Sequence, residues 1–129
     1  MLAAFPNIEK QYPVFCYGDT IYNPFDQTIT PDIEHHESIH SRQQGDYPEV
    51  WYERYINEPS FRLEQEIEAY GSQYAFLKYI LKDISQGAKI IEWKKEKMAE
   101  ALSSPLYGSL LPYAVAESKI RSYGKHVKL

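Results

Sequence analysis

Apolar positions in this chain recur at two spacings, and the change from one to the other marks the elements. Tyr12-Pro13-Val14-Phe15-Cys16-Tyr17 is dense in strand formers, Gly18-Asp19 is a turn pair, and Thr20-Ile21-Tyr22 returns to strand character. That pattern predicts a short hairpin. Asn23-Pro24 breaks it, and Gln27-Thr28-Ile29 offers a third extended piece. From Thr30 onward the period is helical. Thr30 supplies an N-cap, Pro31 the first helical position and Asp32 a first-turn acid, and Gly45 supplies the stop, predicting a helix from Asp32 to Gln44. Further helices are predicted over Glu49 to Ile56, Phe61 to Ser85, Ala88 to Leu102 and Pro112 to Arg121, separated by Pro, Gly and Ser positions. Residues 1 to 11 read as a loose lead-in and the basic tail from Lys125 to Leu129 as mobile. So few short strands need a helical layer to lie on. The predicted fold class is α+β and predominantly helical: an N-terminal hairpin or three-stranded sheet packed on about five helices, in a single domain spanning residues 1–129.

The first helix carries the chemistry. At about 100° per residue, one arc holds Ile33, Ile39, His36, His40, Glu37, Gln43 and Gln44, and the opposite arc holds Glu34, His35, Ser38, Ser41 and Arg42. Two isoleucines give this helix little hydrophobic reason to dock. A metal ion would supply one. His36-Glu37-Ser38-Ile39-His40 is a His-Glu-x-x-His pattern, in which histidines four apart project side by side to grip one ion. Glu37 leans over the open coordination position, the ligand geometry of a zinc hydrolase. His35 faces the other way and reads as a surface residue.

On the wheel of the third helix, Glu66 falls in the middle of an apolar stripe with Leu63, Ile67, Tyr70, Tyr74 and Leu77, while Glu64 and Glu68 fall on the far face. An ionised carboxylate in that position must be paired or coordinated. The histidine-held metal is one partner and Arg62, four residues earlier, is another; Glu64 and Glu68 stay open as substitute ligands. Trp51 and Tyr55 read as core packing, Cys16 as a small buried strand residue, and Lys94-Lys95-Glu96-Lys97 as a solvated face. Ile90, Ile91, Met98 and Leu102 are the inward positions of the fourth helix.

Composition narrows the classes. A chain of 129 residues supports one core. A net charge of -4 argues against nucleic acid as the main partner. The single cysteine excludes an internal disulfide framework, and no apolar run approaches membrane-spanning length. Met1 to Lys10 lacks a basic n-region, so no signal peptide is expected and the location is expected to be cytoplasmic, without a membrane partner. Nothing in the sequence speaks to oligomeric state.

With these residues in hand, the chain resembles the gluzincins, zinc metallopeptidases in which His-Glu-x-x-His supplies two ligands and a glutamate on a following helix the third. Glu66-Ile67-Glu68-Ala69-Tyr70 matches the family pattern around that glutamate, with Glu66 in the ligand position. The likeness rests on residues 20 to 80 and extends to small uncharacterised peptidase-like proteins of bacteriophages, which Ser103 to Gly108 also resembles more loosely. It implies a zincin-like core, Zn2+ held by His36, His40 and Glu66, and Glu37 as general base. It also implies a peptide or protein substrate, lying along the edge of the N-terminal sheet, and, for a phage-encoded chain, action in the host cytoplasm. Tyr70 stands where the family has an aspartate steadying a ligand histidine. With Tyr74, Tyr107 and His126 it is also a candidate second oxyanion donor. Two other classes share the ligand pattern: a non-catalytic, metal-stabilised binding or phage assembly module, and a hydrolase of cell-wall peptides.

Overall fold

Residues 14–128, which the computed structural model describes, form an α+β arrangement dominated by helices. The expected lead-in, the start of the hairpin at Tyr12-Pro13, and Leu129 lie outside the described residues. β1 (Phe15–Tyr17) and β2 (Thr20–Tyr22) pair antiparallel as a two-stranded sheet with Cys16 opposite Ile21. Gly18 opens the turn at φ +63, a backbone state that favours glycine. The third extended piece at 27–29 does not become a strand. The Asn23 side chain accepts from the Gln27 N–H at 2.9 Å and donates to the Gln27 carbonyl at 2.7 Å, which takes the groups a ladder would need.

Helix α1 (Pro31–Gln44) forms where the sequence places it, and Gly45, at φ +58, ends it. Thr30 begins it differently from expectation: its hydroxyl donates to Asp32 Oδ1 at 2.6 Å and makes no side-chain cap to the backbone. α2 (Pro48–Asn57) and α3 (Pro59–Ile80) each start at a proline, a residue preorganised for a first helical turn. α4 (Gly87–Ser103), a 3-10 turn (Pro105–Tyr107) and α5 (Tyr113–Gly124) complete the order.

Three sequence expectations need correction here. The third helix stops at Ile80 rather than Ser85. Residues 81–86 turn tightly, with Gln86 at φ +65, and a Cβ on Gly87 would meet the Leu81 carbonyl oxygen at 2.3 Å. Ile90 is exposed, since α4 turns Met98, Ala99 and Leu102 inward with only partial burial of Ile91. Lys95 is buried rather than solvated, with its ammonium 2.9 Å from both Glu92 and Glu117.

The hydrophobic core joins α3, α4 and α5 through Tyr70, Tyr74, Leu77, Met98, Leu102 and Ile120. α3 is the central rod: every residue from Ala69 to Ala75 is buried, whichever way it faces. No residue of α1 belongs to that cluster. α1 nevertheless packs extensively on α3, and its buried residues are Ile39 together with Asp32, His36, Glu37, His40 and Gln44. Its buried face is mostly polar, as two isoleucines alone would require. Gln44 then pins the hairpin to α1, accepting from the Gly18 N–H at 2.6 Å and donating to the Cys16 carbonyl at 2.8 Å. Cys16 is buried, as expected. No helix among the described residues is long and apolar enough to cross a membrane.

Helices α3 and α5 meet at glycine. A Cβ on Gly71 would sit 2.7 Å from Tyr123 Cβ and 2.5 Å from Cδ1 of its ring, so the α5 backbone itself would have to move. Gly71→Ala is therefore expected to destabilise the protein by about 1–3 kcal/mol. Urea unfolding midpoints check this, and an unchanged midpoint would contradict the close approach.

Candidate metal centre

α1 and α3 bring the expected residues to one point. His36 and His40 stand on adjacent turns with ring centroids 4.8 Å apart. Glu66, from α3, places its carboxylate against both: Oε1 lies 3.3 Å from His36 Nε2 and Oε2 lies 3.1 Å from His40 Nε2. All three residues are buried, and one ligand atom from each falls within 4.8 Å of the others. Glu66 is thus the acid that meets the histidines. Glu64 is exposed. Glu68 is half-buried rather than solvent-facing, and it accepts from Gln43 Nε2 at 2.7 Å and from the Tyr123 hydroxyl at 3.2 Å. Arg62, the alternative partner for Glu66, is buried and donates to the backbone carbonyls of Tyr55 at 2.9 Å and Ile56 at 3.2 Å.

The far side of each imidazole is also fixed. His36 Nδ1 is 2.9 Å from Gln73 Oε1, and Gln73 Nε2 donates to Asp32 Oδ2 at 2.8 Å. His40 Nδ1 is 2.8 Å from Gln43 Oε1. A carboxamide oxygen only accepts, so both Nδ1 atoms carry hydrogen. In the neutral imidazoles, both Nε2 lone pairs then aim at carboxylate oxygens a little over 3 Å away. A proton on Nε2 or a cation between the groups must hold them there. The donor set fits zinc: two imidazole nitrogens and a carboxylate are a catalytic zinc set, and bonds of about 2.0 Å give a tetrahedral edge of about 3.3 Å.

Sequence reasoning missed several partners. Tyr55, taken as core packing, donates its hydroxyl to Glu66 Oε2 at 2.6 Å. Burial, reinforced by the Glu66 carboxylate, holds this phenol far above its ordinary pKa, so it remains a donor. Trp51 does pack as expected, 5.4 Å from the His40 ring, and also donates to Gln65 Oε1 at 2.8 Å. The residue steadying His36 is Gln73, not Tyr70. Tyr70 instead sets its ring 4.4 Å from the His36 ring and shares a 2.9 Å hydrogen bond with the Tyr107 hydroxyl. His35 is half-buried and stacks on Phe76 at 4.6 Å, so it is not a free surface group. Spacing held a usable signal for two of the missed partners: Gln73 is two helical turns beyond Glu66 on one face, and Asp32 is one turn before His36.

Glu37 is buried beside the cluster, with Oε2 4.0 Å from His36 Nε2 and Oε1 without a hydrogen-bond partner. Burial raises its pKa against the opposing pull of the two histidines. A buried carboxylate oxygen without a partner is costly, and Glu37 also lines an opening. A cleft of about 270 Å³ is lined by His36, Glu37, Tyr70 and Tyr107, with Thr28, Ile33 and Leu106 among its walls. Of the other candidate oxyanion donors, Tyr74 sits in the hydrophobic core and His126 is exposed beyond α5.

No protein-family model, curated protein or solved structure matches this chain. The site's chemistry therefore rests on its own geometry.

A metal bound here would compete with protons for the same groups, which gives a pH signature. Burial alone would lower the His40 pKa, but the Glu66 carboxylate outweighs it and pushes His40 from 6.5 up to about 9. A raised folded-state pKa contributes stability that is fully present below the unfolded value and lost as pH rises through the folded one. Metal-free protein is thus expected to lose thermal stability between about pH 6.5 and about 9. Stabilisation by added zinc should grow over the same interval, because the displaced proton binds less tightly there. Melting curves with and without chelator check both trends, and a zinc effect that shrinks as pH rises would contradict them.

Proposed function

We propose that this protein is a zinc-dependent peptidase with a zincin-like core, hydrolysing peptide bonds at the cleft beside His36 and Glu37. The observation carrying this reading is the buried Glu37 carboxylate: it adjoins the His36–His40–Glu66 cluster, borders the cleft, and leaves one oxygen unpartnered. A metal site serving only to hold the fold needs no such acid.

Zinc, when bound, supplies Lewis acidity that brings water toward ionisation near neutral pH and polarises a scissile carbonyl. His36, His40 and Glu66 hold the ion, and Tyr55 keeps the Glu66 carboxylate oriented. Glu37 accepts the proton of the attacking water and returns it to the leaving amine; its raised pKa brings it closer to the working pH than an exposed glutamate. Tyr70 and Tyr107, hydroxyl to hydroxyl at the cleft wall, are the groups placed to donate toward the developing oxyanion. Burial raises the Tyr70 phenol pKa and the Glu66 carboxylate raises it further, so its proton stays available. An extended substrate cannot add to the sheet at Cys16, whose carbonyl already accepts from Gln44 and Tyr52.

Two variants test this. Glu37→Gln removes the base but keeps the shape, so peptide hydrolysis should fall by about 10²–10⁴-fold while zinc content is retained. Full activity in that variant would exclude Glu37 as base. Tyr70→Phe should lower kcat by about 10²–10³-fold with KM nearly unchanged. A loss confined to KM would instead make Tyr70 a substrate-binding group.

A further inference from the structure

The two histidines are held by devices of the same design, drawn from different helices. Behind His36 stands Gln73 of α3, and behind Gln73 stands Asp32 of α1. Behind His40 stands Gln43 of α1, and behind Gln43 stands Glu68 of α3. In each case a carboxamide lies between imidazole and carboxylate. A carboxylate accepts only, so each amide nitrogen must face the acid and each amide oxygen must face the ring. The orientation of the amide is thereby dictated from outside, and with it the tautomer of the imidazole.

We propose that Gln73 and Gln43 are positioning residues, each a neutral relay that fixes Nδ1–H on its histidine and so presents Nε2 of both rings to one metal ion. The inference rests on the metal-centre reading but goes beyond it. It assigns roles to two side chains outside the His36–His40–Glu66 ligand set, and it explains why they are amides. An acid placed directly on Nδ1 would add negative charge beside Glu66 and Glu37 and favour the imidazolium form. An intervening amide keeps the orienting hydrogen bond and holds that charge one residue away. Each anchor is itself held: Asp32 accepts from the Thr30 hydroxyl at 2.6 Å and pairs with Lys94 at 3.4 Å, and Glu68 accepts from Tyr123 at 3.2 Å and pairs with Arg42 at 3.4 Å.

The test uses Gln73→Met and Gln43→Met, which keep length and remove the relay, together with the order-reversed pair Asp32→Asn/Gln73→Glu. Zinc affinity is read by competition with a chromophoric chelator. Ring 15N shifts of the metal-free protein at alkaline pH, where the imidazoles are neutral, report the tautomer without any metal or activity. Each single variant is expected to weaken zinc binding about 10–100-fold and to shift its own histidine toward the Nε2–H tautomer. The reversed pair should regain Nδ1–H on His36, because Glu at 73 can accept and Asn at 32 can donate. Gln43 is half-buried, so its variant remains informative if the buried Gln73→Met fails to fold. Unchanged tautomers and affinities in folded variants would overturn the proposal. Wild-type protein that binds no zinc yet shows Nδ1–H on both rings would refute the metal reading and leave the relay standing.

Discussion

Everything distinctive about this molecule depends on one electrostatic constraint. Two imidazole Nε2 atoms each lie a little over 3 Å from one buried carboxylate, and positive charge must lie among them. Because Gln43 and Gln73 oblige the opposite ring nitrogens to carry hydrogen, an imidazole that is neutral presents its lone pair to the carboxylate. Burial opposes ionisation of Glu66, and the two histidines more than reverse that, holding its pKa well below the usual carboxylate range. A proton on His40, whose pKa Glu66 pushes up to about 9, or a bound cation would meet these demands.

The fold separates that constraint from ordinary stability. The hydrophobic core lies among α3, α4 and α5, while α1 meets α3 through polar groups. α3 serves both sides, with Tyr70, Tyr74 and Leu77 in the core cluster and Glu66 and Gln73 in the polar assembly. Gln44 extends the polar side to the hairpin, and the 3-10 turn after α4 brings Tyr107 to the cleft wall. A central helix with a packed face and a polar face holds Glu66 and Gln73 in place independently of the loops around the opening.

What the sequence disclosed, and what it withheld, follows from the range of the interactions. The hairpin turn at Gly18, the span of α1 and the shared face of His36, His40 and Glu37 are local consequences of period and turn chemistry. Glu66 was legible because a charge inside an apolar stripe is anomalous wherever the stripe packs. Lys95 broke the solvated-face reading because its partner Glu117 sits on a different helix, which no pattern within α4 can reveal. Ile90 turned outward because α4 begins only after the tight turn at Gly87, so the face it presents depends on where α3 ends. Tyr55 passed for core because its ring is indeed packed, against Trp51 at 4.8 Å, and only its hydroxyl tells of Glu66. The residue supporting His36 was sought at Tyr70 by family likeness, whereas the structure supplies it at Gln73, one helical turn further along.

The most direct measurement of the central claim is a zinc titration of untagged, metal-free protein, followed by calorimetry and by mass spectrometry under non-denaturing conditions, with Glu66→Gln in parallel. One zinc per chain, bound with release of protons and lost or sharply weakened in Glu66→Gln, is the predicted result. Wild-type protein that takes up no zinc, or takes it up as well without the Glu66 carboxylate, would contradict it.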